Sequence, residues 1–513
     1  MCLKHYFSRA SRVVYGSRGS CSVIKISVGT VPSAVTEACL SEEDHLLLID
    51  HWKKELLLKK RFYQWKIMAE GLSYINSFNN PSELPAEVRI SQSKSTEVLN
   101  AKRITGIELK FKGLLGSTEK WESIEDMKRI FWYKKTILSE YVTEHWMEDD
   151  FYGSQFLNGI NPNVIKRCLE LPPNFPVTEE MVKLFLEEGS SLQMEMGKGN
   201  IFLCDQKKMD GIPGRVYDGE PLHVTAGLCL LYLTPENKLK PIPIQLHQQP
   251  SEQNPIFLPS DLETDWLLAK MSHVLYDRMT ELMKRALSEM TYSSLCLPEN
   301  ITERGLESIP NFYYRDYGLK LWNIINSFVK AIVEHYYPSD GEVQKDTELQ
   351  EWISEIFICG FLGNKASGFN TVEEGIKFIT MVIFTATAQH AAVNNGQFDY
   401  YSWVPNCPLL LRKPPPTTKG QSSMKTILET LPNVGETVSF AAMVWLLSNE
   451  YTDVVPLGTY PEERFDEPAP KQMIKEFQAE LSYLSEAITA RNSQLEVPYT
   501  YLNPSQIENS ITI

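Results

Sequence analysis

The stretch from Ile376 to Val393, inside 374-EGIKFITMVIFTATAQHAAVNNGQFDYYSW-403, is apolar on nearly every face. A helix that is hydrophobic all round must be enclosed, either by the core of a large protein or by a membrane. No uninterrupted apolar run approaches the roughly 18 residues a bilayer span requires. The run Val224 to Leu233 is too short and contains Thr225 and Gly227. A central core helix is therefore expected. The chain can enclose it: at 513 residues, 43% of them hydrophobic, it exceeds the usual extent of one core. One large domain and one small one are the expectation.

The enclosure reads mainly as helix. Apolar residues recur at three- and four-residue spacing in 264-TDWLLAKMSHVLYDRMTELMKRALSEM-290, 319-LKLWNIINSFVKAIVEHYY-337, 348-ELQEWISEIFICGF-361 and 470-PKQMIKEFQAELSYLSEAITARN-492. The β signals are 22-SVIKISVGTV-31 and 221-PLHVTAGLCLLYLTP-235, each bounded by Pro or Gly. Pro-rich stretches at 235–244, 254–261 and 414–420 are expected to be loops, because Pro cannot continue a helix and restricts the residue before it. No repeat of 20 to 50 residues is visible, which excludes a solenoid.

Charge and cysteine usage narrow the function. With 65 acidic residues against 50 basic ones, the net charge of -15 repels phosphate backbones, so nucleic acid is an unsuitable partner. The nine Cys are scattered without a CxxC, suggesting neither a zinc ribbon nor a disulfide framework and fitting a reducing, cytoplasmic setting. The first 36 residues hold Lys4, Arg9, Arg12, Arg18 and Lys25 and no acid before Glu37. That composition resembles a transit peptide, but without an Arg-rich amphipathic helix it reads as an irregular segment. The basic stretch 53-KKELLLKKR-61 reads as a solvated amphipathic linker.

The chemistry-bearing residues lie at the end of the central helix. His390 and Asn394 are four apart and share a helix face, and Gln397 follows one turn later. A single His on a buried helix is ordinarily a core residue bonded to a carbonyl. Three polar side chains on one buried face must all find partners, which ordered water or a metal such as Zn, Cu or Fe could provide. Spacing alone leaves both open.

Several separate motifs then carry a resemblance: 155-QFLNGINP-162, 171-LPPNFPVTEEM-181, 266-WLLAK-270, 387-TAQHAAVNNGQ-397, 405-PNCP-408, 457-LGTYPEERF-465 and the terminus 498-PYTYLNPSQIENSITI-513. Together, from about Leu56 onward, the chain resembles an animal lipoxygenase of the epidermis-type hydroperoxide isomerase and second-type 15-lipoxygenase branch. The resemblance implies a mainly α fold, a large helical catalytic domain with a short β remnant at the N-terminus. It also implies a non-heme iron held by His390, Asn394 and the terminal carboxylate of Ile513, with Gln397 orienting Asn394 from outside the metal shell. The implied partners are a polyunsaturated fatty acid or its hydroperoxide, O2, and a membrane in peripheral contact. The implied reaction removes a hydrogen atom from a doubly allylic methylene and captures O2 to give a hydroperoxide, or isomerises a hydroperoxide to an epoxyalcohol.

The chain departs from that pattern in two places. The family carries two more histidine ligands five apart on a helix after WLLAK, whereas among His5, His45, His51, His145, His223, His247, His273, His335 and His390 no two are four or five residues apart. An internal deletion near 271–277 is expected, and with it the loss of the arched helix over the substrate. His273, the nearest substitute, reads as an ordinary polar residue at the junction. The family also begins with a lipid-binding β-sandwich, for which 1–66 is too short, so those residues are expected to be a truncated remnant preceding a catalytic domain over 67–513. The alternative to an active enzyme is a catalytically inactive splice form or pseudoenzyme that binds lipid or a partner without iron.

Overall fold

The computed structural model describes residues 54, 65–69, 72–75, 92–131, 135–159, 161–273 except 213, 215 and 218, 291–360, 368–408, 411–449, 454–460 and 465–509. The strand expected over 22–31, most of the linker 53–61, the sequence directly after His273, and Ile513 lie outside the described residues.

Strands β1 (Trp65–Ala69) and β2 (Leu72–Ile75) pair as an antiparallel hairpin. Helices α1 (Gln92–Phe111), α2 (Ile137–His145) and α3 (Asp149–Asn158) lead to a four-stranded antiparallel sheet. Its strands, in spatial as in chain order, are β3 (Ile165–Arg167), β4 (Ile201–Asp205), β5 (Leu228–Leu233) and β6 (Leu239–Gln245). The sheet is buried on both faces, and the two-residue period of its side chains separates two cores. Phe202, Cys204, Cys229, Leu231 and Ile244 face the large helical core, while Leu203, Leu228, Leu230 and Ile242 face a smaller one with Phe175, Val182 and Met196.

One expectation is corrected here. The stretch 235–244 is not wholly a loop, because Leu239–Gln245 forms β6 despite Pro241 and Pro243. Pro is tolerated at a sheet edge or a bulge. β6 is an edge strand, and its register slips opposite Cys229 to Leu231, where Cys229 faces Ile244 and Leu231 faces Pro241. Residues 414–420 are irregular, as Pro predicts.

From Glu263 onward the described chain is mainly helical: α4 (Glu263–His273), α5 (Tyr313–Tyr336), α6 (Thr347–Glu355), α7 (Val372–Phe384), α8 (His390–Asn394), α9 (Gln397–Tyr401), α10 (Val434–Ser448) and α11 (Pro468–Asn492). α5 buries Leu321, Ile325, Phe328 and Ile332 on one stripe. It packs between α7, where Trp322 meets Phe384 edge to face at 5.4 Å, and α11, where Phe328 stacks on Phe477 at 4.4 Å. α7 starts at a capping box, with the Thr371 hydroxyl accepting the Glu374 amide.

The central helix differs from the expected uninterrupted α-helix, because Thr385–Gln389 is a π-helical turn between α7 and α8. The composite Val372–Tyr401 is also longer than the sequence reading allowed, being apolar enough by length and composition to cross a bilayer. In the fold 72% of its apolar window is buried, so the protein itself encloses it.

Helix α3 lies directly on β6 at Gly153, where an added Cβ would collide with the Leu239 carbonyl. Gly153→Ala is predicted to lower stability by about 1–3 kcal/mol through overpacking, although Ala is the better helix former. The midpoint of urea unfolding measures it.

Candidate functional site

The π turn sets the geometry of the site. The His390 amide reaches back to the Thr385 carbonyl, five residues earlier, before α8 begins. From α8, His390, Ala391 and Asn394 line one wall of a cavity of about 580 Å3, a size suited to a small molecule. Thr136 and Asp399 line it too, with Trp445 and Leu447 from α10 and Tyr501 from the C-terminal segment. The structure therefore brings His390 and Asn394 into one volume, as their spacing implies.

Asn394 is clamped at both ends of its amide. Its Nδ2 donates to the Leu447 carbonyl at 2.9 Å, and its Oδ1 accepts from Gln397 Nε2 at 2.5 Å. This fixes which atom faces which way, leaving a lone pair on Oδ1 for a further partner. Gln397 is buried, and its own Oε1 has no hydrogen-bond partner. Its amide nitrogen is the donor that holds the Asn394 oxygen.

The described residues fall short of a full non-heme iron shell. No three His, Cys, Asp or Glu side chains among them gather where a metal ion could be held. His390 and Asn394 supply two neutral donors, one of them a weak carboxamide. Ile513 lies outside the described residues.

His273 is not among the residues lining the cavity. It is fully buried at the end of α4, its Nδ1 sharing a 2.8 Å hydrogen bond with the Tyr152 hydroxyl, and its edge lies where a Cβ on Gly227 would fall. Burial pushes its pKa down to about 4, so the ring is neutral near pH 7.

Two of the motifs meet each other. Gln155 and Asn406 exchange amide hydrogen bonds of 3.0 and 2.8 Å, joining QFLN to PNCP, and Asn406 also donates to the Tyr400 carbonyl. In WLLAK, Lys270 is buried with its ammonium on Asp149 at 2.7 Å, and the Trp266 indole donates to the same carboxylate. Two residues that the sequence reading did not single out also face the cavity. Asp399 ends the motif 394-NNGQFD-399, and Tyr501 lies in the quoted terminus. Burial raises the Asp399 pKa, and hydrogen bonds from Thr136 and Tyr501 oppose that rise.

The profile of the lipoxygenase family matches residues 260–500. The polyunsaturated fatty acid lipoxygenase ALOX15B of Rattus norvegicus is 40% identical over 549 residues, covering 92% of this chain and 81% of the relative. The human hydroperoxide isomerase ALOXE3 is 36% identical over 595 residues, covering 93% of this chain and 84% of the relative. Both alignments are longer than the 513-residue chain, so both contain gaps opposite residues of the relatives. Among solved structures, a calcium-dependent 11R-lipoxygenase superimposes with a TM-score of 0.85 at 29% identity, covering 93% of this chain and 83% of the other. A coral 8R-lipoxygenase does so with a TM-score of 0.86 at 28% identity and the same coverage.

The buried His273 makes a testable contribution to acid stability. Its folded pKa of about 4 lies below the ordinary value near 6.5, so between those values the unfolded chain binds more protons than the folded one. Its contribution is intact above about pH 6.5, falls by about 3 kcal/mol as pH drops toward 4, and levels off below. His273→Gln, which cannot titrate, is predicted to flatten that part of the profile in urea unfolding measured across pH 4 to 7.

Proposed function

The chain belongs to the lipoxygenase family, and we propose that it oxidises a polyunsaturated fatty acid, or isomerises the corresponding hydroperoxide, at the cavity walled by His390 and Asn394. The relatives named above are a polyunsaturated fatty acid lipoxygenase and a hydroperoxide isomerase. A solved lipoxygenase that superimposes with a TM-score of 0.87 at 28% identity is a complex with arachidonate. The observation that carries the reading to these residues is the clamp on Asn394. A carboxamide held at both ends, in a wall of the cavity that also carries an imidazole, is oriented in advance for a ligand.

The lipoxygenase family generally uses non-heme iron. In this reading His390, Asn394 and the carboxylate of Ile513 are the protein's contribution to that metal, and Gln397 orients Asn394. Two histidines of the family pattern are absent from the sequence, and a deletion after WLLAK is part of the same proposal. Fewer donors mean weaker binding, because donors lost from a metal site remove most of its binding energy. The free, buried thiols of Cys168, Cys204, Cys229 and Cys296 fit a cytoplasmic location. Peripheral membrane contact belongs to the same proposal.

Elemental analysis of the purified chain, paired with product analysis on arachidonate and its hydroperoxide, tests the reading. The expected result is iron below one per chain, removed altogether by His390→Ala, with conjugated-diene hydroperoxide or epoxyalcohol formed in proportion to the iron present. Full iron retained in His390→Ala would overturn the site assignment. A folded, iron-free chain that forms no product would overturn the enzymatic reading in favour of lipid binding without turnover.

A further inference from the structure

The C-terminal segment is held by two kinds of contact. Near its described end the hold is lateral: the Leu457 amide donates to the Ile507 carbonyl at 2.8 Å, the Asn509 amide donates to the Val455 carbonyl at 2.7 Å, and the buried Lys94 ammonium meets Glu508 at 2.7 Å. Upstream, at Tyr501, the hold is of a different kind and centres on a single carboxyl group.

The Tyr501 ring rests on Gly396, where an added Cβ would lie 2.8 Å from ring Cζ, so no larger residue fits there without displacing the ring. Its hydroxyl donates to Asp399 Oδ2 at 2.5 Å. The other oxygen, Oδ1, accepts from the Thr136 hydroxyl, also at 2.5 Å. Thr136 in turn is the N-cap of α2, its hydroxyl oxygen accepting the Ser139 amide at 3.0 Å. One carboxyl group thus ties three parts of the chain together: the start of α2, the helical wall containing Asn394 and Gln397, and the C-terminal segment. Taking a carboxyl group out of water is costly unless donors replace the water. Apolar contact would hold these elements together more cheaply, whereas two directional bonds also fix how the segment lies.

We propose that Asp399 is a positioning residue, fixing the C-terminal segment through Tyr501 against the wall that carries His390 and Asn394, with Gly396 as the seat of the Tyr501 ring. The docking stands on this geometry alone. Its consequence for a metal rests on the reading above, in which the terminal carboxylate is a ligand, because Tyr501 lies twelve residues before Ile513.

Hydrogen exchange read by mass spectrometry on the full chain tests it, with Asp399→Asn, Tyr501→Phe and the double variant. The amides of Leu457 and Asn509 are expected to exchange about tenfold faster in either single variant, the shift that follows loss of one charge-assisted hydrogen bond. The double variant should be no faster than the faster single, since both break the same contact. Amides of α5 should be unchanged, which separates positioning from a general loss of stability. Tyr501→Phe keeps the ring on Gly396 and carries the test should Asp399→Asn fail to fold. Unchanged exchange at Leu457 and Asn509, or acceleration shared by α5, would overturn the proposal. Iron content of the same samples distinguishes the two readings. An iron-free chain whose C-terminal segment loosens on substitution overturns the metal assignment alone, and an iron-bearing chain indifferent to both substitutions overturns the positioning role alone.

Discussion

A helix that is apolar on every side must be enclosed, yet this one has to present an imidazole and a carboxamide to a cavity. The π turn at Thr385–Gln389 reconciles the two demands. In an unbroken α-helix His390 would follow Ile383 by seven residues and share its face, and Ile383 and Ile376 are both buried. One extra residue in a turn retards everything after it by roughly 100°. His390 and Asn394 are thereby rotated away from the face of Ile376 and Ile383, and they line the cavity with Trp445 and Leu447 opposite. The placement of the polar pair beside an enclosed apolar helix follows from one local change in hydrogen bonding, from i−4 to i−5.

The site also depends on contacts between parts of the chain far apart in sequence. The buried Lys270 pairs with the half-buried Asp149 121 residues away, and the Gln155 and Asn406 amides exchange bonds across 251. Each pairing satisfies groups that would be costly to bury alone. They explain why short polar motifs such as WLLAK, QFLN and PNCP lie within otherwise apolar helices and turns. QFLN and PNCP are two halves of one contact, and WLLAK is anchored on Asp149 at the start of α3.

What the sequence made legible follows from which interactions are local. The three- and four-residue periodicity of α5, α6 and α11 records a helix's own geometry, and those helices appear where the pattern places them. The i, i+4 relation of His390 and Asn394 is local as well. The edge strand β6 was hidden because Pro241 and Pro243 argue against a strand unless its place at the edge of the sheet is known. The π turn was hidden because nothing in TATAQ distinguishes an i−5 bond from an i−4 bond. The burial of His273 and the roles of Asp399 and Tyr501 were hidden because their partners, Tyr152, Thr136 and Gly396, are known only once the chain is folded.

Fold and metal site draw on different interactions, and this chain separates them. The core around α5 and α7 rests on many apolar contacts, no one of which is decisive. A metal site rests on a few donors, each of which is. The clamp on Asn394 and the bonds to Asp399 belong to neither group. They are protein-to-protein hydrogen bonds, complete without any ion, and they orient the same side chains and the same C-terminal segment that a metal would need. An oriented but incomplete set of donors binds more weakly than a full set, yet it does not have to be reorganised before binding. In the proposed reading, a reduced metal affinity would come from missing donors, because Asn394 is already oriented by its own hydrogen bonds.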